Sequence, residues 1–319
     1  MALVARLSLA GAGETDPEDL FSGALGVIFP DDVTNQHGSA DQGLVYTSPH
    51  LPKPLHISLA DPTGDEDRRL FSHFLWNSSL LLAELVEAGT LGLSATGEFT
   101  SSSAAAAQEN SVDVAPSSDF DIAGLSTIEL GAGTALPSIM AVLLGARHVV
   151  VTDYPSDVIM DTLRQNVVVN TQPSFAPAGR IVAVEEGGAG VVVEGHGWGE
   201  LDTPLAVEYK GRFDRVFVAD CLWMPWQHGN LRRSISWFMK EGAEARAWVV
   251  GGFHTGRANM RGFFDAAELA REGLEIERLW ERDCDGIDRA WTTDRGIEDP
   301  TERKRWLAVA VLKRVVAST

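Results

Sequence analysis

Hydrophobic residues recur at three- and four-residue spacing between residues 66 and 88, which predicts a helix with one apolar face. From residue 126 onward, short apolar runs alternate with amphipathic segments. This alternation is typical of β-α-β units around a mainly parallel sheet. The predicted strands are 126–130, 148–152, 181–184, 213–219 and 247–251, and the predicted helices that follow them are 135–144, 157–169, 227–240 and 258–270.

The last part of the chain has a different pattern. Two apolar runs, residues 274–280 and 306–314, have no helical pattern between them. They predict an antiparallel strand pair at the end of the sheet. The predicted fold class is therefore α/β, with a doubly wound sheet that is mainly parallel and ends in an antiparallel C-terminal pair.

Two segments do not follow the alternation of strands and helices. Residues 1–65 are rich in Pro, Gly, Asp and His and predict a mostly irregular N-terminal arm, part of which packs against the domain. Residues 97–120 are of low complexity and predict a flexible insertion that is dispensable for folding. Residues 66–319 are predicted to form one domain, which begins with the helix at 66–88.

The charge of the chain narrows the classes of partner. Its 319 residues include 26 Lys and Arg and 45 Asp and Glu, a formal net charge of −19. Nucleic-acid binding needs clustered basic residues and is not expected. An acidic surface fits a cationic substrate or a basic protein, although solubility alone also accounts for it.

Membrane insertion, metal binding and secretion are not predicted either. No apolar run reaches the length of a membrane span. Cys221 and Cys284 form neither a CxxC pair nor a metal-binding spacing with histidine. The first ten residues do not have the pattern of a signal peptide, so the predicted location is the reducing cytoplasm.

The residues with the clearest chemical meaning end the first two predicted strands. The motif ELGAG at 129–133 follows a strand and opens a helix, as in nucleotide-binding loops whose glycines let a ligand approach the backbone. Leu136 replaces the third glycine of the dinucleotide pattern, and Glu129 favours a cationic ligand over a phosphate. Asp153 ends the next strand, where a carboxylate can bind both ribose hydroxyls. Alternatively, Asp153 caps the following helix.

Together these residues resemble the class I, seven-strand methyltransferases, which have a Rossmann-like sheet and use S-adenosylmethionine. Further segments are similar to the fungal branch of nicotinamide N-methyltransferase-like enzymes, which includes the elongation-factor N-terminal and lysine methyltransferases. The resemblance extends over roughly residues 20–315 but does not include the 97–120 insertion. The similar segments are FSHFLWN at 71–77, VEGHGWG at 193–199, DCLW at 220–223 and GFHTGR at 252–257.

The resemblance implies a cofactor site. S-adenosylmethionine, which leaves as S-adenosylhomocysteine, would be covered by the aromatic residue of a lid helix at 66–88 and by the indole of the Trp-Gly segment. An acidic residue would hold the ribose. The implied cofactor-binding residues are Trp76, Glu129, Gly131, Gly133, Asp153, Tyr154, Trp198 and Ala219.

The candidate catalytic residues are Asp220, Trp223 and His254, with Trp226 beside them. Asp220 follows a predicted strand, where its carboxylate can hold an amine or assist its deprotonation; alternatively it is a structural cap. The two indoles fit beside a cation or belong to the core. His254 is an acid/base candidate or a structural hydrogen-bonding residue. Trp223 departs from the DxxY/F pattern of the family and would reshape the acceptor pocket.

The predicted function is that of an S-adenosylmethionine-dependent N-methyltransferase acting on a protein lysine or α-amino group. The partner would be a basic protein such as a translation elongation factor. Two alternatives stay open: methylation of a small-molecule amine, such as nicotinamide or a fungal metabolite, and a non-catalytic binding protein with this fold. The intact ELGAG loop and Asp153 disfavour the last one, and the oligomeric state is left open.

Overall fold

A computed structural model describes residues 3–10, 35–39, 41–61, 74–93, 113–180 and 190–315. Among these residues, no helix is both long and apolar enough to cross a membrane. The strands are β1 Leu7–Leu9, β2 Gln36–His37, β3 Leu44–Tyr46, β4 Leu55–Ile57, β5 Leu75–Trp76, β6 Ser126–Leu130, β7 His148–Asp153, β8 Val191–Gly195, β9 Arg215–Ala219, β10 Arg246–Gly252, β11 Leu274–Asp283, β12 Asp288–Ala290 and β13 Trp306–Arg314. The α-helices are α1 Asn77–Leu91, α2 Leu136–Leu143, α3 Asp157–Asn170, α4 Pro204–Glu208, α5 His228–Phe238, α6 Arg257–Met260, α7 Ala266–Arg271 and α8 Pro300–Lys304.

An eight-stranded sheet lies at the centre, in the order β12-β11-β13-β10-β9-β6-β7-β8. The strands from β10 to β8 in this order are parallel, whereas β13 runs antiparallel to β10 and to β11. The predicted doubly wound sheet with an antiparallel C-terminal pair is confirmed. The strand order reverses at β6, which pairs with both β7 and β9, and ligands of open α/β sheets bind beyond the carboxyl ends of the strands at such a point.

The central strands read as continuous apolar runs because both faces of the sheet are covered. Successive side chains alternate between two hydrophobic clusters: Val149 and Val151 belong to one, and Val150 belongs to the other. The first cluster also contains Phe217 and Trp248, whose rings stack with centroids 5.2 Å apart. Helices α1 and α2 contribute to the first cluster and α5 to the second.

The predicted central elements that lie on described residues are confirmed within a few residues, except for one helix. The predicted helix at 258–270 is interrupted between α6 and α7, because the Asp265 carboxylate accepts hydrogen bonds from the N–H groups of Ala267 and Glu268, both at 3.0 Å, and starts a new helix. The short elements β12 and α8 between the last two long strands were not predicted. The predicted strand at 181–184 lies outside the described residues, and β8 occupies the edge next to β7.

The described part of the N-terminal arm contains short strands, which the prediction of a mostly irregular segment does not include. Strands β1, β3 and β4 form a small antiparallel sheet. Tyr46 and Leu55 are fully buried in it. Arg6 connects this sheet to α1 through ion pairs with Glu84, at 2.5 Å, and Glu87, at 2.8 Å. Strands of three residues are too short for a two-residue alternation to stand out in the sequence.

Two asparagines on α3 attach the same sheet to the domain. Asn170 accepts a hydrogen bond from the His56 N–H and donates one to the His56 carbonyl, both at 2.8 Å. Asn166 makes the same pair of bonds with Ser58, at 2.8 and 2.9 Å. Each side-chain amide therefore reproduces the two hydrogen bonds of a neighbouring strand along the edge of β4.

The helix predicted at 66–88 begins later in the structure. Residues 62–73 lie outside the described part, and Leu75–Trp76 pair with Gln36–His37 as strand β5, so α1 starts only at Asn77. The predicted stop at Gly89 is wrong as well, because α1 continues to Leu91 and ends at Gly92, which has a left-handed φ of 67°.

The end of the predicted insertion is ordered, which corrects the boundary at residue 120. Residues 94–112 lie outside the described part, but Ser117–Phe120 form a 3-10 helix. Phe120 is fully buried, with its ring centroid 5.0 Å from that of Trp248. A Cβ on Gly89 would lie only 2.4 Å from the Ser117 carbonyl oxygen. Because Gly89 has no side chain, the 117–120 segment can approach α1 closely at this position.

Candidate active site

A cavity of about 430 Å³ lies at the carboxyl ends of β6, β7, β8 and β9, where the strand order reverses. Helix α5 and the segment before α1 complete its walls. The structure does not bring Glu129 or His254 into this cavity. The predicted site residues that line it are Trp76, Gly131, Gly133, Asp153, Tyr154, Trp198, Ala219, Asp220 and Trp223.

The loop after β6 forms the floor of the cavity and requires glycine. Gly131 and Gly133 have φ angles of 72° and 55°, in the left-handed region. A Cβ on Gly131 would lie 2.8 Å from Cys221 Sγ and 2.9 Å from Trp198 Cζ2. Gly131 therefore packs closely against Cys221 and Trp198, and the backbone of this loop lines the cavity.

Asp153 lies at the end of β7 with its carboxylate in the cavity wall. One oxygen accepts from the Gly133 N–H and the other from the Tyr154 N–H, both at 2.7 Å. Burial raises the pKa of the Asp153 carboxyl, while these two bonds lower it. The N-cap position of α3 is Ser156, and neither N–H group that Asp153 binds belongs to this helix, so the alternative of a helix cap does not apply to Asp153. Each oxygen keeps a second lone pair for a hydroxyl of a ligand.

Glu129 has a structural position behind the loop. It is fully buried, and its Oε2 accepts hydrogen bonds from the N–H of Ser138, at 3.1 Å, and from the Ser138 hydroxyl. Burial raises the pKa of the Glu129 carboxyl to about 8. Glu129 thus binds the first turn of α2 and fixes the direction in which the chain leaves the glycine loop.

Asp220 lies on the opposite side of the cavity floor, directly after β9. Its φ of 60° is in the left-handed region, which is uncommon for a residue other than glycine, although Asp and Asn adopt it more often than most others. Asp220 Oδ1 accepts from the Gly252 N–H at 3.0 Å, which fixes the carboxylate between β9 and β10. The neighbouring Cys221 is buried, and burial raises the pKa of its thiol well above the usual value. Cys221 is therefore a packing residue and not a nucleophile.

His254 lies in a second cavity, of about 320 Å³, which shares Trp76 and Trp223 with the first. Its imidazole stacks on the indole of Trp76, and its Nδ1 is 3.8 Å from Asp220 Oδ1. Trp226 was expected in the acceptor pocket but lines neither cavity: it is 72% exposed and touches Trp223 edge-on, with centroids 6.4 Å apart. Two aromatic residues three positions apart in a tight turn face different directions, which the sequence does not specify.

Several lining residues were not predicted. Asn230 and Arg233 lie three residues apart on α5 and so face the cavity together, a spacing that the sequence does contain. His196 is buried against the Ser234 hydroxyl, at 3.0 Å, and burial lowers its pKa to about 4, so it is neutral at pH 7. The lining residues that were not predicted as site residues are Phe74, Ser79, Ala132, Thr134, His196, Gly197, Gly199, Glu200, Cys221, Met224, Gln227, Asn230 and Arg233.

The cavity fits the S-adenosylmethionine that the sequence resemblance implies. The backbone of Gly131 and Gly133 lines the cavity, and the remaining lone pairs of Asp153 suit ribose hydroxyls. The half-buried indole of Trp198 offers a flat apolar surface for an adenine. The acidic side chains of Asp153, Glu200 and Asp220 in the wall suit a ligand that carries a sulfonium and an ammonium.

Comparison with known proteins agrees with this geometry. A sequence model of the lysine methyltransferase family matches residues 72–268. The protein N-terminal and lysine N-methyltransferase EFM7 of Gibberella zeae is 30% identical over 247 residues, which are 73% of this chain and 75% of that protein. The protein of the same name from Schizosaccharomyces pombe is 27% identical over 251 residues, which are 73% of this chain and 80% of that protein.

Among solved structures, the ribosomal protein L11 methylase of Lactobacillus delbrueckii subsp. bulgaricus is 15% identical and aligns over 74% of this chain and 79% of its own, with a TM-score of 0.38. The assignment does not depend on that distant likeness. The family match and the Gibberella relative decide it: the chain belongs to the lysine methyltransferase family and is an S-adenosylmethionine-dependent methyltransferase.

Proposed function

We propose that the chain methylates an amino group of a protein, either a lysine ε-amino group or an N-terminal α-amino group. The observation that carries the proposal is the position of Asp220, whose carboxylate is fixed in the wall of the cofactor cavity that the indoles of Trp76 and Trp223 also line. A carboxylate beside aromatic surface is the pairing that an ammonium group requires. The names of the relatives, which describe N-terminal and lysine N-methyltransferases, support it.

The cofactor supplies a methyl group on a sulfonium, which is already a good leaving group. The residues of the chain then have to bind the cofactor and the acceptor amine and orient them toward each other. Asp153 holds the ribose hydroxyls, the backbone at Gly131 and Gly133 accommodates the methionine part, and Trp198 covers the adenine. Ala219 and Tyr154 complete the walls. Glu129 acts indirectly, because it fixes α2 behind the glycine loop.

On the acceptor side, an amine must lose its proton before it can attack. Asp220 binds the ammonium form, orients it and accepts its proton on a carboxylate lone pair that the Gly252 N–H does not use, which leaves the nitrogen lone pair free to attack. Trp76 and Trp223 exclude water and pack beside the cation. His254 lies behind Asp220, with its Nδ1 3.8 Å from Asp220 Oδ1.

The proposed partner is a basic protein, such as a translation elongation factor, and the proposed location is the cytoplasm. The net charge of −19 favours association with a positively charged surface and raises the rate of encounter with it. This attraction weakens as salt is added.

A lysate assay tests the proposal. The full chain is incubated with cofactor carrying a labelled methyl group and a cell lysate, and the label is counted separately in protein and in small molecules. We expect label in protein, lost when Asp220→Asn replaces the wild type. Label in small molecules alone would show that the acceptor is not a protein.

A further inference from the structure

We infer that the second cavity is a subsite for the protein substrate, which binds an acidic residue next to the methylated amine through Lys304. This inference rests on the proposed function, because it assigns a further part of the same substrate. It adds a determinant of sequence preference outside the cofactor cavity.

The position of the second cavity supports the inference. Its volume of about 320 Å³ is room for roughly ten water molecules at about 30 Å³ each, far more than a packing defect. Trp76 and Trp223 line both cavities, so the two spaces meet at the indoles. When an amine binds at Asp220, the chain that carries it can leave along these indoles into the second cavity.

The charge of the second cavity supports an acidic occupant. Among the described residues that line it, Lys304 is the only charged one other than the titratable His254. Within the part of the chain that the structure describes, no carboxylate lies within 4.0 Å of the half-buried Lys304 ammonium. Two other cations of this region are paired: Arg257 binds Glu281 at 2.5 Å, and Arg305 binds Asp285. A cation without a partner at the wall of a cleft attracts a carboxylate and repels Lys or Arg.

Further polar groups of the second cavity suit a peptide. The amides of Asn35 and Gln36 and the hydroxyl of Thr255 line it and can both donate and accept hydrogen bonds. They match the N–H and carbonyl groups of a peptide backbone. Lys304 ends helix α8, whose start is capped by Asp299, which accepts from the N–H groups of Thr301 and Glu302 at 2.8 and 3.1 Å.

Two synthetic peptides test the inference. Each has a free α-amino group and one lysine, and the residues beside both amines are Asp in one peptide and Arg in the other. Binding is measured by fluorescence anisotropy with S-adenosylhomocysteine present, and methylation is measured as kcat/KM. The wild type should prefer the Asp peptide about fivefold, the upper range for a partly exposed ion pair.

Variants at Lys304 separate charge from structure. Lys304→Glu should reverse the preference, whereas Lys304→Arg should keep it, since the guanidinium also binds carboxylates. Lys53→Glu is the matched control: it makes the same charge change at an exposed position between β3 and β4, outside both cavities, and should leave the preference unchanged.

Three results would overturn the inference: equal use of the two peptides by the wild type, an unchanged preference in Lys304→Glu, or binding of neither peptide. The lysate assay distinguishes this failure from that of the proposed function. If lysate protein is labelled and any of these three results is found, the subsite is rejected and the proposed function stands. An absence of labelled protein rejects the proposed function itself.

Discussion

The imidazole of His254 stacks on the indole of Trp76, with ring centroids 4.7 Å apart and an interplanar angle of 23°. The contact joins the end of β10 to the strand before α1. Because His254 Nδ1 is also 3.8 Å from Asp220 Oδ1, the three side chains form a continuous wall from the cofactor cavity to the second cavity. Substitutions at these residues should therefore not be additive.

Asp220→Asn should retain cofactor binding and lose turnover by about a hundredfold or more. Asparagine tolerates the left-handed backbone, and its Oδ1 can still accept from the Gly252 N–H, so the fold is preserved. The carboxamide has no charge with which to bind an ammonium group. Calorimetry with S-adenosylhomocysteine and label transfer to the protein acceptor measure the two effects. Full activity in this variant would reduce Asp220 to a structural residue.

Asp153→Asn should weaken cofactor binding by about 1.5–3 kcal/mol, the range for lost hydrogen bonds to a charged group. Asp157→Asn is the control, because Asp157 is exposed in the first turn of α3 and carries the same charge. Calorimetry at one ionic strength compares the two variants. If both bind the cofactor as the wild type does, the assignment of Asp153 to the ribose is wrong.

Gly131→Ala should abolish cofactor binding, a larger loss of affinity than backbone strain at this position would cause. Its added Cβ would meet Cys221 and Trp198 below 3.0 Å. Gly211→Ala is a matched control with a similar φ of 64° and nothing within 4 Å, so it carries the strain of about 1–2 kcal/mol without the collision. Melting temperature and cofactor affinity are measured for both. Equal affinity losses would show that the cavity does not need bare backbone at this position.

Glu129→Gln should make stability less dependent on pH. The pKa of the carboxyl is about 8 when folded, against an ordinary value of 4.5. Below pH 4.5 both states hold the proton; as the pH rises toward 8 the unfolded chain releases it and the folded chain does not. Wild-type stability should fall across this window by up to about 1.4 kcal/mol per pH unit from this group alone.

The glutamine keeps the bond from Ser138 and has no proton to lose, so the difference in stability between variant and wild type should grow with pH up to about 8. Urea unfolding at pH 5, 6, 7 and 8 measures this difference. A constant difference would mean that Glu129 is ionised in the folded protein.

Phe120→Ala should destabilise the protein by about 3–5 kcal/mol, because a fully buried aromatic ring is removed from beside Trp248 and Trp280. Deleting residues 100–110, for which the composition predicts no contribution to folding, should leave the melting temperature nearly unchanged. Thermal unfolding compares the two variants. A small effect of Phe120→Ala would place this residue outside the core.

The sequence predicts the sheet well because apolar runs and their spacing are local properties. It predicts the positions of Asp153 and Asp220 for the same reason, since both directly follow strands. It does not predict the role of Glu129, which also lies on a strand but points behind the loop toward α2. It also does not separate the lining residue Trp223 from the exposed Trp226. The direction in which a side chain points depends on packing between segments that are distant in the sequence, and hydrophobic periodicity does not encode this packing.

The side chains of Asn166 and Asn170 have a consequence for self-association. Strand β4 lies at the edge of its small sheet, and an open edge is a template on which a strand of another molecule can add. The two amides already occupy the N–H and carbonyl groups of His56 and Ser58. The domain thus closes this edge with side chains from a helix, and the pair keeps neighbouring copies from joining there into an extended sheet.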